Sequence, residues 1–415
     1  MSISAQKNSP IITGTGCICA AGQNTAAVTT SLHAATVNCA PIPDYLFSSD
    51  LTFPAFTVQQ EALTREAYNF FLEQGVDPSA LVCNRTLQLT LTALTEALQQ
   101  AGYHLSDLRN RRVGIALGTT VGCTFNNEDY YIAWKKDQKP DIDPVFHYLD
   151  SNPALRLQKI MDVEGPCLVI TNACASGTDA IGVGSRWLQD DLCDIVITGG
   201  ADELSRIAYH GFAGLMLTAN TPCRPFSADR EGLNLGEGAG VLILEKQYES
   251  KKKKALGSVR GYGSAGDAHH PTAPHPEGRG MQQALAVALG EAKTTVEDIA
   301  YINSHGTGTP SNDRAESAAL AGLGFTADNC PVVSTKGVTG HTLGAAGAIE
   351  AILTLEALRQ GSTMGTIGCK AVDPQLHPAV LIEREERPLN GKVGISQSLA
   401  FGGGNAALVL EGYPA

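Results

Sequence analysis

Short, continuous apolar runs separated by stretches of helical periodicity set the pattern of this chain. Val113–Leu117, Leu168–Thr171, Ile195–Thr198, Val241–Leu244, Val380–Ile382 and Ala407–Leu410 do not alternate with polar residues. That is the pattern of strands buried on both faces. Thr86–Ala101 and Gly280–Ala292 carry apolar residues at helical spacing. A third helix, Ala175–Leu188, is expected to follow the Leu168–Thr171 strand directly. The class is α/β.

The 415 residues allow two or three domains or one large α/β unit. The best internal boundary is Glu249–Lys254, a run of four lysines that reads as a solvated turn. It divides residues 1–255 from residues 256–415. Asn126–Asp150, acidic and polar, reads as an insertion on the first part.

Hydrophobic residues make up 43% of the chain and charged ones 17%, enough apolar material for a sizeable core. The net charge of −12 argues against general nucleic-acid binding, which needs a basic face. The eleven cysteines are scattered and form no C-x-x-C pair, so neither a metal site nor a disulfide framework is indicated. No apolar run is long enough to span a bilayer and no secretory leader is evident, so a reducing cytoplasm is expected.

Four segments carry candidate chemistry. In Thr171-Asn-Ala-Cys174-Ala-Ser-Gly177 an apolar strand runs through a small-residue turn into a helix. A cysteine there meets free N–H groups and the positive end of the helix dipole, which favour thiolate. A buried, inert thiol fits the same fragment equally well. Ser304-His305-Gly-Thr307-Gly-Thr309-Pro310, followed by Asn312, Asp313 and Glu316, places a histidine in a loop after the strand-like Ile299–Asn303. A histidine capping a turn is the alternative. Ser334-Thr-Lys336-Gly-Val-Thr-Gly340-His341 leads through a glycine-rich loop into an Ala/Gly-rich helix. The phosphate-loop pattern G-x-x-x-x-G-K-[ST] is absent. Phe401-Gly-Gly-Gly404-Asn405 precedes the last strand with three residues free to adopt unusual dihedrals.

The order of these segments is more specific than any one of them. Cys, then His-Gly-Thr-x-Thr, then Lys-x4-His, then Phe-Gly-Gly resembles the β-ketoacyl-acyl-carrier-protein synthases, closest to the elongating type I/II branch. The resemblance runs along nearly the whole chain and includes Ala219–Glu245 and Asp267–Pro274. Thiolases carry a second cysteine where this chain has Leu399-Ala400-Phe401, chain-initiating synthases carry asparagine at position 341, and chain-length-factor subunits lack the nucleophile.

The resemblance implies a thiolase fold, two pseudo-symmetric α/β halves in five layers. It implies that an acyl chain moves from carrier-protein phosphopantetheine to Cys174, and that malonyl carrier protein is then decarboxylated and condensed with it. His305 and His341 are the implied hydrogen-bond donors to the malonyl thioester oxygen. The N–H groups of Cys174 and Phe401 are the implied oxyanion hole for the acyl-enzyme. Lys336 is expected to set the local potential and hold His341, with Glu316 as its buried partner. Asp313 is a supporting acid. Thr307, Thr309 and Thr272 are expected on the phosphopantetheine arm. Phe212, Phe401 and Val121 are expected around the acyl pocket, Phe401 as its gate. No metal and no cofactor is implied beyond the carrier-borne phosphopantetheine.

Departures from the family pattern bear on substrate and partner. The closing loop reads Gln397-Ser-Leu-Ala-Phe401-Gly-Gly-Gly-Asn405, with one aromatic and the usual threonine missing. Val121 replaces isoleucine in a segment that, in the family, forms part of the acyl pocket floor across the dimer, which leaves room for a deeper pocket. The basic residues that dock carrier proteins in housekeeping synthases are absent, with Arg85 alone before the Thr86 helix and Met216 four positions after Phe212. Lys135, Lys136, Lys139 and Arg206 are possible substitutes. A specialised synthase is expected, of the aryl polyene or polyketide kind, paired with a chain-length-factor homologue. A homodimeric fatty-acid elongation enzyme is the alternative, and a non-catalytic subunit a remote one.

Overall fold

The structure is a computed structural model that describes residues 9–58, 61–122, 128–143, 145–146, 152–246, 255–326, 330–376 and 380–414. The expected boundary at Glu249–Lys254 lies outside the described residues, as does part of the Asn126–Asp150 insertion. Within that insertion Glu128–Lys135 is helical.

Twelve strands are described: β1 Ile11–Cys19, β2 Val113–Gly118, β3 Cys167–Ile170, β4 Ile195–Asp202, β5 Gly238–Glu245, β6 Gly257–Gly266, β7 Ile299–Asn303, β8 Val332–Val333, β9 Ser362–Met364, β10 Glu386–Pro388, β11 Val393–Leu399 and β12 Gly404–Gly412. Ten of them form one hydrogen-bonded ladder in the order β3-β2-β4-β5-β1-β6-β12-β11-β7-β8. Number the strands within each half by their place in the chain. Both halves then read 3-2-4-5-1 from the outer edge inward, with the same parallel and antiparallel pairings. This is the duplication implied by the resemblance. The halves join where Ile11 and Ile12 pair with Ser258 and Gly257.

The layers follow from where the helices bury their apolar faces. Ser176–Gln189 and Ala346–Gln360 touch each other and strands of both halves, so they form the central layer. Ala346–Gln360 is apolar on nearly every side, as a helix between two sheets must be. Arg85–Ala101 covers β1 and β5 on one outer side, and Arg279–Ala292 covers β6 and β12 on the other. Helix, sheet, helix pair, sheet and helix make five layers.

Most expected elements are present with small shifts in their ends. Val380–Ile382 is not a strand: only Val380 bridges, to Val332, and the chain turns away. β3 is an edge strand, so Leu168 is 45% exposed where a strand covered on both faces was expected. No helix among the described residues is long and apolar enough to cross a membrane.

Candidate active site

The duplicated topology brings equivalent connections together at one place. The link after β3 carries Cys174, and the link after its counterpart β8 carries Lys336 and His341. The loop after β7 carries His305, and the β11–β12 turn carries Phe401. The two inner helices begin against one another, and small residues make this possible. A Cβ on Gly177 would lie 2.7 Å from the Gly344 carbonyl oxygen, and one on Gly200 would lie 2.4 Å from it. No larger residue fits at either position.

The cysteine turn is tightly bound. Ala173 takes the left-handed φ of 43° just before the nucleophile, an uncommon conformation for a residue with a side chain. Ser176 Oγ donates to the Ala173 carbonyl at 2.6 Å and accepts from the Asn172 N–H at 2.8 Å. Asn172 Nδ2 donates to Asp179, which also accepts from the Tyr262 hydroxyl.

Cys174 Sγ lies 3.1 Å from His341 Nε2. The sulfur and one ring nitrogen each from His305 and His341 all fall within 4.8 Å of one another. The two imidazoles meet edge to face at 5.1 Å. These are the soft donors among the described residues close enough together to hold a metal. The Lys336 ammonium, 3.3 Å from His305 Nδ1, opposes a second cation there.

Burial lowers the pKa of His305 well below the usual histidine range, and Lys336 and His341 lower it further. Burial, then Lys336, does the same for His341. Both rings are neutral near pH 7. They differ in what fixes the proton. Lys336 donates toward His305 Nδ1, so the His305 proton sits on Nε2. Among the described residues His341 Nδ1 has no hydrogen-bond partner, so none of them enforces a tautomer of His341.

The thiol departs from the expected thiolate. Burial pushes Cys174 up to about 12, against the pull of Lys336 and of the Phe401 backbone N–H. Desolvation outweighs the helix terminus, because the Cys174 side chain is buried. Cys174 therefore rests as the thiol, with His341 beside it.

Lys336 is fully buried. Its partner is Glu350 on the inner helix, not Glu316. It also donates to the His305 carbonyl at 2.6 Å, so it holds His305 and not His341. Glu316 holds the histidine loop instead, accepting from the His305 N–H, from the Gly306 N–H at 2.8 Å and from Gln397 Nε2 at 2.7 Å. A carboxylate so occupied cannot also turn to Lys336. Burial pushes Glu316 and Glu350 each up to about 7. Asp313 accepts from the N–H groups of Phe226, Thr307 and Gly308, and so shapes the loop beyond His305.

Two scaffold residues escaped the sequence reading. Glu350 is one. The other is Asp202 at the end of β4, which accepts from the Thr119 hydroxyl and from the N–H groups of Thr120, Val121, Gly122 and Gly344. It joins the β2 loop to the His341 turn. Its signal was an acidic pair, Asp202-Glu203, at the end of an apolar strand.

A cavity of ≈ 170 Å³ opens onto Cys174, His305 and His341. Thr307, Thr309 and Thr272 line it, the first two with their hydroxyls 2.8 Å apart. Phe212 and Phe401 stack in its wall, with ring centroids 5.0 Å apart. Val121, expected at the pocket floor from across a dimer, is not among the residues of this single chain that line the cavity. It packs in the apolar cluster that Phe212 and Phe401 also join. Two larger, open grooves elsewhere carry no nucleophile.

Comparison with known proteins agrees with this geometry. Residues 9–250 match the family model "Beta-ketoacyl synthase, N-terminal domain", and residues 256–370 match "Beta-ketoacyl synthase, C-terminal domain". A 3-oxoacyl-[acyl-carrier-protein] synthase 2 of Staphylococcus aureus is 34% identical over 368 residues, 85% of this chain and 88% of that one. Among solved structures, the ketosynthase ApeO in complex with its chain length factor ApeC, from Xenorhabdus doucetiae, is 30% identical with a TM-score of 0.84 and full coverage of both chains. The ishigamide ketosynthase/chain length factor is 28% identical with a TM-score of 0.86, covering 98% of this chain and 100% of that one.

Proposed function

The chain belongs to the β-ketoacyl synthase family, an acyltransferase family of ketosynthases, and on that premise we propose how its own residues divide the two half-reactions. The observation that carries the proposal is the meeting of one thiol with two buried neutral imidazoles in a cavity lined by Thr307 and Thr309.

In the first half-reaction Cys174 attacks the acyl thioester of a carrier-protein phosphopantetheine. The S–H proton passes to His341 Nε2 at 3.1 Å, and from there to the departing pantetheine thiolate. The N–H groups of Phe401 and Cys174 hold the oxyanion of the tetrahedral intermediate. In the second, His305 and His341 donate from Nε2 to the malonyl thioester oxygen. The bond to the carboxylate breaks, carbon dioxide leaves, and the enolate carbon attacks the acyl carbonyl. Cys174 departs as thiolate and takes up one proton from solvent, which balances the carboxylate charge lost with carbon dioxide. Lys336 keeps His305 in the donor tautomer, while His341, with no described residue fixing its Nδ1, serves as acceptor in one half and donor in the other.

Removing one such donor costs about 10²–10³ in rate. Malonyl decarboxylation should therefore fall by that order in His305→Ala and in His341→Ala. Unchanged decarboxylation in both variants contradicts the assignment.

The pathway reading is a specialised synthase of the polyene or polyketide kind, with a chain-length-factor partner. The likeness to ApeO and to the ishigamide enzyme supports it. β3 ends the ladder with Leu168 exposed, which suits pairing with a second chain, either a homologue or another copy. Co-purification tests it: a stable complex with a homologue lacking the cysteine supports the heterodimer. An active homodimer that accepts the fatty-acid carrier protein supports the elongation enzyme instead, a reading favoured by the 34% identity to the Staphylococcus synthase.

A further inference from the structure

Two of the three glycines after Phe401 serve the backbone. Gly402 and Gly403 take left-handed φ values of 84° and 78°, which residues with a side chain rarely adopt. Gly404 differs: its φ of −71° and ψ of 135° are open to any residue. What Gly404 lacks is room. A Cβ there would lie 2.5 Å from Oδ1 and 2.9 Å from Nδ2 of Asn172. The place of the family's usual threonine is thus taken by an asparagine amide from another segment.

The amide is held from behind. Its Nδ2 donates to Asp179 Oδ2 at 2.6 Å, and Asp179 Oδ1 accepts from the Tyr262 hydroxyl at 2.8 Å. Asp179 stands in the first turn of the Ser176–Gln189 helix and Tyr262 on β6, so the amide is tied to the inner helix and to the second half of the chain. Tyr262 in turn is seated against Gly182, where a Cβ would lie 2.3 Å from its ring. The Asn172 backbone closes the cysteine turn, accepting from the Ala175 N–H at 3.0 Å. Gly404 closes the Phe401 turn, its carbonyl accepting from the Ala400 N–H at 2.7 Å. One braced side chain therefore packs between the two turns that carry the N–H groups of Cys174 and Phe401. Both N–H groups can serve one oxyanion only while those turns keep a fixed separation.

We infer that Asn172 is a positioning residue for acyl transfer: its amide, braced by Asp179 and Tyr262, is the spacer that sets the separation of the Cys174 and Phe401 N–H groups. The inference rests on the acyl-transfer function proposed above. Asn172 is not among the residues that line the cavity, so it acts through the two turns. The histidines hang on other contacts. Lys336 and Glu316 hold His305, and the His341 N–H donates to the Asn234 carbonyl. The spacer thus bears on acyl transfer and not on malonyl decarboxylation.

The test uses two substitutions that fit together better than apart. Gly404→Ala adds the Cβ that meets the amide, Asn172→Ala removes the amide, and the double variant sets a methyl group where the amide stood. Acylation of Cys174 is followed by intact mass, with the best donor from a panel of octanoyl-loaded type II carrier proteins. Decarboxylation is followed as carbon dioxide released from malonyl carrier protein with no acyl donor present. Each single variant should lose about tenfold in maximal acylation rate at unchanged KM, less than the roughly 10²–10³ for outright loss of an oxyanion donor. Decarboxylation should stay within about twofold of wild type, because the spacer serves one transition state and not the other. The double variant should return to within about threefold of the wild-type acylation rate, as two sites in contact do when the changes compensate. Unchanged acylation in both single variants overturns the inference. So does an equal fall of acylation and decarboxylation, the mark of a general loss of structure, and so does a double variant no faster than Gly404→Ala. Should Gly404→Ala fail to fold, Asn172→Ala carries the test through the same split between the two rates. A wild type that no donor acylates removes acyl transfer itself, whereas an acylated wild type with unchanged variants removes the spacer alone.

Discussion

Lys336 is the residue whose removal separates its electrostatic role from its structural one. Lys336→Met leaves buried Glu350 without its partner, so the perturbation is made together with Glu350→Gln, which keeps the site neutral. The ammonium stands 3.3 Å from His305 Nδ1. At that distance a unit charge disfavours a second one by about 5 kcal/mol at an effective dielectric of about 20. Burial is the larger cause of the lowered His305 pKa, and Lys336 lowers it further. In the double variant His305 should climb toward its ordinary value, and the constraint that keeps its proton on Nε2 is lost. An ionised His305 would pair with the malonyl carboxylate in place of serving the thioester oxygen. Malonyl decarboxylation should then fall by about ten- to a hundredfold near pH 7. A titration should enter its rate at higher pH than in wild type, with activity falling below that point. Acylation of Cys174 should suffer less, because His341 faces the thiol. The assay is carbon dioxide release from malonyl carrier protein between about pH 5.5 and 8, the range in which histidine titrates, with acylation followed separately by mass. An unchanged rate with an unchanged pH profile would refute the role given to Lys336.

Other outcomes follow from the same contacts. Glu350→Gln alone leaves a buried ammonium uncompensated and should cost about 3–5 kcal/mol in chemical denaturation, with part regained on adding Lys336→Met. His305 and His341 are held neutral in the fold, whereas unfolded histidine takes up a proton below about pH 6.5. Their contribution to stability is thus complete above that pH and is lost as pH falls below it. Glu316 and Glu350, raised to about 7, act oppositely, since the fold binds their protons before the unfolded chain does. The histidine part is therefore read as a difference: replacing both with asparagine should flatten the acid-side loss of stability relative to wild type, and identical slopes would contradict it.

How far the sequence could be read depended on what each signal measured. Apolar runs gave the strands, because a strand covered on both faces must be apolar throughout. The same signal misplaced Val380–Ile382, where only one residue bridges. It also hid the exposure of β3, since an edge strand and a central one look alike in composition. The duplication was invisible as sequence, for the two halves share a strand order and not a repeated motif. In the site, Cys174, His305, His341 and Lys336 were legible because loops after strands carry chemistry in a fixed order. The partner of Lys336 was misassigned because Glu316 stands close to His305 in the chain. Glu350 sits within Ala-Ile-Glu-Ala-Ile-Leu, where a lone acid in an apolar helix was itself the sign of a buried cation. For the thiol, the helix terminus was visible in sequence and the degree of burial was not, and burial decides its resting state.

The most direct test of the account is the intact mass of the protein after incubation with a panel of acyl carrier proteins. Wild type should gain the mass of one acyl group, located by fragmentation on Cys174, and Cys174→Ala should gain none while keeping its fold. An acyl adduct of equal yield in Cys174→Ala, or one on another of the cysteines in wild type, would contradict it.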